Sequence, residues 1–375
     1  MQVAGERGYF MKLCTLSTGD IAYKYYKSIV ILFNKPRKVL STSVYNGGYR
    51  EDLTAVFNHD CNPGAGMAYE LRVPTYEGHM RLVAQEAGLN ADTVSGMATA
   101  ASMDNVAIQF QSYENLKVTA LVTGGIEVNG GRVGDPAAYF QPIEKSTLQK
   151  PGTINIMLII DSDMPPGTMS RALVTCTEAK TAALQELMAG SNYSNGLATG
   201  SGTDQTIIVV NPHSPLYLES AGKHSKLGEL IGSTVKKAVK EALKQQSGFS
   251  AKKQHSVLRR LKRFGIKEET VWQSYIVDHA EAIIKAEFLD QLYAIDQDDQ
   301  LLTYTSLYVH LLDQLLWELL SGEEVMAAGN EIISLAADKF GAVCSVIDQP
   351  DLESCLSAWQ RLLLNIIEIR KTKIC

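Results

Sequence analysis

Glycine divides this chain of 375 residues in two. Up to about residue 247, short apolar runs alternate with glycine-rich breaks. Beyond "QQSGFSAKKQ" glycine thins out, proline nearly vanishes until Pro350, and helical periodicity takes over. An interior glycine costs a helix about 1 kcal/mol relative to alanine, so the first part is expected to be strands and tight turns with a few helices between them. The runs at 28–33, 38–44, 105–110, 117–123, 153–160 and 206–210 are rich in β-branched residues and bounded by turn signals, which predicts strands there.

One helical pattern follows Pro74 and stops at Gly88; a second is expected to open on Thr177 as a cap and close at Gly190. In a third, "SKLGELIGSTVKKAVKEALKQQ", Leu227, Leu230, Ile231, Val235, Ala238, Val239, Ala242 and Leu243 recur at three- and four-residue steps. Lys236, Lys237, Lys240 and Lys244 crowd the other side as a solvated surface. The expected class is therefore α/β or α+β, a mixed sheet with flanking helices over residues 1–247. Residues 248–375, with "LYVHLLDQLLWELL" and "AWQRLLLNIIEI", predict a smaller all-α C-terminal domain. Its basic opening, "KKQHSVLRRLKRFGIKEE", reads as a solvated linker helix.

Charge and hydropathy remove several functions. A net charge of −6 offers no basic face for nucleic acid. Runs such as "INIMLII" fall far below the ~20 residues that span a bilayer, and the start lacks a signal-peptide pattern. Neither nucleic acid nor membrane is expected as a partner, and a cytoplasmic location is the default. The six cysteines form no C-x-x-C pair. Cys61 stands out beside His59 and Asp60, although neighbours on a strand point to opposite faces.

Three glycine-rich polar segments could carry chemistry. In "LVTGGIEVNGGRVGDP" (121–136), Gly125 and Gly130 have the spacing of a phosphate loop, but Gly131 and Arg132 stand where Lys and Ser/Thr are needed. Asn129-Gly130 predicts a hairpin; alternatively the glycine N–H groups approach a substrate, with Glu127, Asn129, Arg132 and Asp135 at its edge. "SNYSNGLATGSGTDQTIIVV" (191–210) places Thr203 and Asp204 at a strand's mouth, either for catalysis or with Asp204 capping its own backbone. Residues 41–66 break at Asn46-Gly47-Gly48 and then crowd Arg50, Asp52, His59 and Asp60. The histidines show no dense ligand spacing, so a metal would need distant ligands. His79 and His310 read as core or boundary histidines, and His59 and His224 as proton-transfer candidates.

These segments resemble the adenosylcobinamide amidohydrolase family of cobalamin salvage. The resemblance rests, in order, on "VLSTSVYNGGYRED", "VFNHDCNPG", "TAASMDNVAI", "VTGGIEVNGGRVGDPA", "GTINIMLIID", "TEAKTAALQEL", "SNGLATGSGTDQTIIV" and "GKHSKLGELIGSTV", over roughly residues 38–243. It does not extend to the helical C-terminal part. It implies hydrolysis of the aminopropanol amide of a corrinoid to give adenosylcobyric acid, with cobalt inside the substrate and no certain cofactor. A corrinoid-binding sensor without hydrolase activity is the rival reading.

Amide hydrolysis needs an activated nucleophile, an oxyanion site and a proton for the leaving amine. The catalytic candidates are His59, Asp60, His224, Thr203 and Asp204. Substrate contacts are expected from Asn46, Gly47, Gly48, Thr123, Gly124, Gly125, Asn129, Arg132, Asp135 and Asn155. Three routes stay open: water activated by His59 or His224 with Asp60 or Asp204, attack by Thr203 or Thr123, and a metal held by Asp60, Glu70 and histidines. Tyr45, Tyr49 and Tyr193 are candidates to line the cleft, and the C-terminal helices could pair copies of the chain into a homo-oligomer.

Overall fold

The computed structural model describes residues 10–64, 71–137, 152–278 and 284–372. The chain divides into two compact units, the first ending at Ser250 and the second starting at Ala251, with Ser194–Gly196 belonging to the second. In chain order the first unit contains β1 (Met11–Thr15), β2 (Ile21–Tyr25), β3 (Ser28–Leu32), β4 (Lys38–Ser41), β5 (Gly48–Arg50), β6 (Ala55–Asp60) and α1 (Tyr76–Glu86). There follow β7 (Val94–Thr99), β8 (Ala107–Tyr113), β9 (Leu116–Gly124), β10 (Gly130–Gly131), β11 (Ile154–Ile160), α2 (Pro166–Glu186), β12 (Gly200–Ser201), β13 (Gln205–Val210) and α3 (Lys226–Ser247). Two mixed sheets result, ordered β1-β2-β3-β6-β7 and β5-β4-β13-β11-β9-β8.

The two-residue repeat of each strand explains how the sheets stack. Along β11, Ile154, Ile156, Leu158 and Ile160 join the core beneath α2 and α3, whereas Met157 and Ile159 join a second core with Leu121, Val56 and Met97. The second core holds the sheets together, and both faces of β11 are buried, which is why it reads as one continuous apolar run. On the outer face of the first sheet, Ala55, Phe57 and Val94 pack against Met80, Val83 and Ala84 of α1. The layers of this unit are α1, sheet, sheet, and the pair α2 and α3.

The stripe predicted on α3 is the buried one, from Leu227 to Leu243. Burying a Leu, Ile or Val side chain contributes about 1.5–3 kcal/mol, so the stripe outweighs the caps, Ser225 at the start and Gly248 at the end. Lys236 and Lys240 both reach Glu186 of α2. The second helix differs from its expected bounds. Thr177 is not a cap: α2 starts at Pro166, and the Thr177 hydroxyl donates to the Leu173 carbonyl at 3.0 Å inside the helix. The helix ends before Gly190, with Met188 in the left-handed region at φ 49°. Strands β1, β2, β5, β6 and β7 were not expected; β6, "AVFNHD", ends in polar residues and so lacks the signal of an apolar run.

A buried ion pair ties the strand ends together. Arg37 Nε donates to Asp20 Oδ2 at 2.8 Å and Nη2 to Oδ1 at 3.1 Å. The remaining groups find Thr18, Asn34 and Asn211. In the second unit, α4 (Val257–Leu261), α5 (Glu268–Asp278), α6 (Lys285–Asp296), α7 (Asp299–Leu316), α8 (Gly322–Phe340) and α9 (Leu352–Thr372) enclose their own core. The basic opening is no solvated linker: Val257, Leu261, Phe264 and Ile266 are buried in that core, and Arg263 grips both carboxylate oxygens of Asp313 at 2.6 Å. His310 is exposed beside Gln314 rather than buried. Among the described residues no helix is long and apolar enough to cross a membrane.

Removing one partner of a buried, fully hydrogen-bonded ion pair strands the other charge and costs about 3–5 kcal/mol. Asp20→Ala is therefore expected to lower the unfolding free energy of the first unit by that amount. Asp20→Leu combined with Arg37→Met should recover much of the loss, as read by urea unfolding.

Candidate active site

Strand β6 runs parallel to β7, and α1 makes the crossover between them. The carboxyl end of β6 therefore opens into the space under the crossover, where sites of α/β sheets form. Alternation sends Val56 and Asn58 toward the second sheet, and Phe57 and His59 toward α1. His59 sits directly across from Ser28 of β3, and Ser28 Oγ and His59 Nδ1 are 2.8 Å apart. From α1, His79 faces the same place: its ring centroid lies 6.3 Å from that of His59, and its Nε2 is 3.4 Å from Cys61 Sγ. The main-chain N–H of Arg72 donates to His79 Nδ1 at 3.2 Å. One nitrogen or sulfur from each of His59, Cys61 and His79 lies within 4.8 Å of the others.

These groups line a cavity of about 700 Å³ with Tyr25, Tyr26, Lys27, Asp60, Arg72 and Glu86 among its walls. That size falls within the roughly 300–1,000 Å³ of small-molecule pockets. Tyr26 occupies the two-residue turn between β2 and β3 in the left-handed region at φ 50°, with its ring 71% exposed. A non-glycine residue held there costs of order 1 kcal/mol. Burial depresses the His59 imidazole to about 3, with the His79 ring, Arg72 and Lys27 acting in the same direction. His79 is lowered by burial and then by Arg72. Both rings are held neutral at pH 7. Asp60 is pushed up by burial, against its hydrogen bond from the Asn62 N–H at 2.7 Å and Lys27 Nζ at 3.9 Å.

The remaining sequence candidates fall into four places. Thr123 and Asn155 meet Asn58 in a buried polar trio between the sheets, joined by Asn58 Nδ2 to Thr123 Oγ1 and Asn155 Nδ2 to Asn58 Oδ1, each 2.8 Å. The two long glycine loops pair with each other: Gly130 and Gly131 bond to Ser201 and Gly200, so Asn129-Gly130 is not the tip of a local hairpin. Gly124 and Gly125 lead into this ribbon from β9, and Asn129 Nδ2 donates to the Gly152 carbonyl. Arg132 and Asp135 close their own turn through Arg132 N–H to Asp135 Oδ2 at 2.7 Å.

Asp204 is similarly occupied, accepting from Ile154 N–H, Ser201 Oγ, Ser201 N–H and the Lys180 ammonium at 2.5 Å. A Cβ at Gly200 would lie 2.4 Å from Asp204 Oδ2 and 2.7 Å from Lys180 Nζ, so a larger residue there would have to displace this ion pair. Thr203 Oγ1 donates to the Gly152 carbonyl at 3.1 Å. Asn46, Gly47 and Gly48 form the turn between β4 and β5: Asn46 Nδ2 donates to the Ala91 and Val94 carbonyls, and a Cβ on Gly47 would lie 1.8 Å from the Ser43 carbonyl oxygen.

His224 stands apart. It is exposed just before α3, a helix of 22 residues and so about 33 Å long. The far end of that helix, at Gln246, is the end that meets Gly125 and Asn105. Tyr45 is fully buried and Tyr49 packs on the helix-side core, so neither lines the cavity; Tyr193 lies against Gly131 in the glycine ribbon. Glu70 lies outside the described residues. The residues missed in the sequence are Ser28, Tyr25, Tyr26, Lys27, Arg72 and, as a member of the site, His79. Only the short hydrophobic run "SIVILF" gave Ser28 a position, and nothing in it marked that residue as facing His59.

A model of the adenosylcobinamide amidohydrolase family, CbiZ, matches residues 14–251. The chain belongs to this family. An uncharacterised protein of Methanocaldococcus jannaschii, MJ1613, is 33% identical over 231 residues, covering 59% of this chain and 87% of that protein. The crystal structure of the PH0078 protein from Pyrococcus horikoshii OT3 aligns with 62% of this chain and 80% of that chain. Its identity is 13% and its TM-score 0.29. The amidohydrolase match ends where the first unit ends, so the helical second unit lies outside it.

The neutral rings give a pH signature. A histidine lowered in the folded state contributes stability above its unfolded value of about 6.5, and loses it as pH falls toward about 3. Asp60, raised by burial, has the opposite sign. The melting temperature is expected to fall more steeply from pH 6.5 to 4 in the parent chain than in His59→Gln; parallel profiles would remove His59 from this role.

Proposed function

We propose that the first unit hydrolyses the aminopropanol amide of adenosylcobinamide to adenosylcobyric acid, and that it does so in the cavity at the end of β6. Family membership supports the reaction. The observation that supports the place is a neutral imidazole, His59, held by Ser28 in a small-molecule-sized cavity beside two cationic side chains.

Neutral His59 can accept a proton as the nucleophile adds. The imidazolium so formed is a strong acid, since its folded-state value is about 3, and it gives the proton readily to the departing amine nitrogen. Lys27 supplies positive charge in the space where the carbonyl oxygen becomes an oxyanion, and Arg72, paired with Glu86, stands on the same cavity wall. The exposed ring of Tyr26 offers a flat apolar face at the cavity for a broad, flat ligand.

Incubating the purified chain with adenosylcobinamide is expected to yield adenosylcobyric acid and aminopropanol, followed by liquid chromatography. His59→Ala should lower kcat by about 10²–10⁴-fold. Tyr26→Ala should raise KM with little change in kcat, the pattern of lost uniform binding. His224→Ala should leave turnover unchanged, because that exposed residue is not among the walls of the cavity. Tight binding without acid formation would instead make this a corrinoid-binding protein.

A further inference from the structure

The His59, Cys61 and His79 cluster admits two chemistries: three ligands for a soft divalent cation, or a polarised thiol. The contact that separates them is the Arg72 main-chain N–H on His79 Nδ1. The direction of a main-chain N–H is fixed by its peptide plane, so Nδ1 accepts here. A neutral imidazole has one N–H and one lone pair; with the lone pair on Nδ1 engaged, the proton is on Nε2. That nitrogen is 3.4 Å from Cys61 Sγ, so the ring donates to sulfur.

A metal ligand must present a lone pair, and His79 Nε2 has none to give in this arrangement. His59 and Cys61 are then two ligands, short of the three protein ligands of catalytic zinc sites. The sulfur instead accepts an N–H, and since Lys27 lies 3.9 Å from Asp60 Oδ2 and Arg72 is paired with Glu86 in the same cavity, the His79 contact is the one that polarises it. Neither threonine considered as a nucleophile is so placed. Thr123 is buried under Asn58 between the sheets, and Thr203 donates its hydroxyl proton to Gly152.

We propose that Cys61 is the nucleophile of the amide hydrolysis, its sulfur polarised by His79 Nε2–H and its proton carried by His59, so that the reaction passes through a thioester. The Sγ–C bond forms at the amide carbonyl carbon while the thiol proton moves to His59. The C–N bond then breaks, and that proton leaves on the aminopropanol nitrogen. Water adds to the thioester carbonyl carbon and gives a proton to His59; the C–S bond breaks, the carboxylic acid departs, and the proton returns to Sγ. No redox step occurs. The proposal rests on the amide-hydrolysis reading above, and its test has one arm that needs no substrate.

In that arm, iodoacetamide labelling of Cys61 is followed by peptide mass spectrometry across pH in the full-length chain. The labelling midpoint is expected to lie higher in His79→Ala than in the parent; identical midpoints overturn the polarisation by His79. In the second arm, Cys61→Ser, shown folded by its circular dichroism melt, is expected to lose more than about 10³-fold in turnover of adenosylcobinamide. Rapid acid quench of the parent should show an acyl adduct on the peptide containing Cys61. Turnover of Cys61→Ser near that of the parent overturns the nucleophile and leaves the amidase reading standing. Equimolar zinc in the purified parent, lost in Cys61→Ser, also overturns it in favour of a metal site. A parent that forms no acid from adenosylcobinamide overturns both readings, whatever the labelling arm gives.

Discussion

The alternation of β6, fixed between β3 and β7, is the constraint on which the site depends. With a period of two, one residue of slip would exchange Asn58 for His59 and turn the imidazole into the space between the sheets. Register is held by the apolar residues on both faces: Val56 in the inter-sheet core, Phe57 against α1. Gly96 on β7 leaves room for the Phe57 ring, since a Cβ there would lie 2.2 Å from it. Packing two residues upstream thus decides which face carries the histidine. His59 and Asp60, neighbours in sequence, consequently serve different surroundings, the first pairing with Ser28 and the second closing a turn on Asn62.

The glycine-rich segments behave differently from one another although they look alike in sequence. In the ribbon formed by Gly130–Gly131 and Gly200–Ser201, the carboxylate of Asp204 answers two backbone N–H groups, a hydroxyl and the Lys180 ammonium. Such a carboxylate has its acceptor positions filled by the fold, which leaves none facing a substrate. The turn at Asn46-Gly47-Gly48 is likewise bound to the backbone before β7. Polar residues in a loop read the same whether they face a ligand or their own main chain, and only the hydrogen-bond partners tell the two apart.

Much of the fold was legible. The β11 run, the α3 stripe and the helical texture after residue 250 each carry a period or a composition that local physics imposes, and each is where the sequence placed it. What was lost is equally local in cause. Short strands with polar ends, such as β6 and β7, have too few apolar residues to show a period, and α2 carried Thr177 as a false start because a threonine hydroxyl caps and back-bonds with equal ease. Arg263 looked like surface charge but is paired inside the helical core, because its partner Asp313 lies on a helix far along the chain.

The candidate site shows the same division. The sequence by itself determined that the first unit is a layered, strand-rich domain of the adenosylcobinamide amidohydrolase family, and it marked His59, Asp60 and Cys61 as reactive types. Only the tertiary structure brought Ser28 and His79 to them and placed His224 and Asp204 elsewhere. The reason is distance in the chain: the contacts of His59 with Ser28 and of Cys61 with His79 form when a strand register and a helix crossover close. Neither the type of His59 or Cys61 nor its spacing from Ser28 or His79 encodes that meeting.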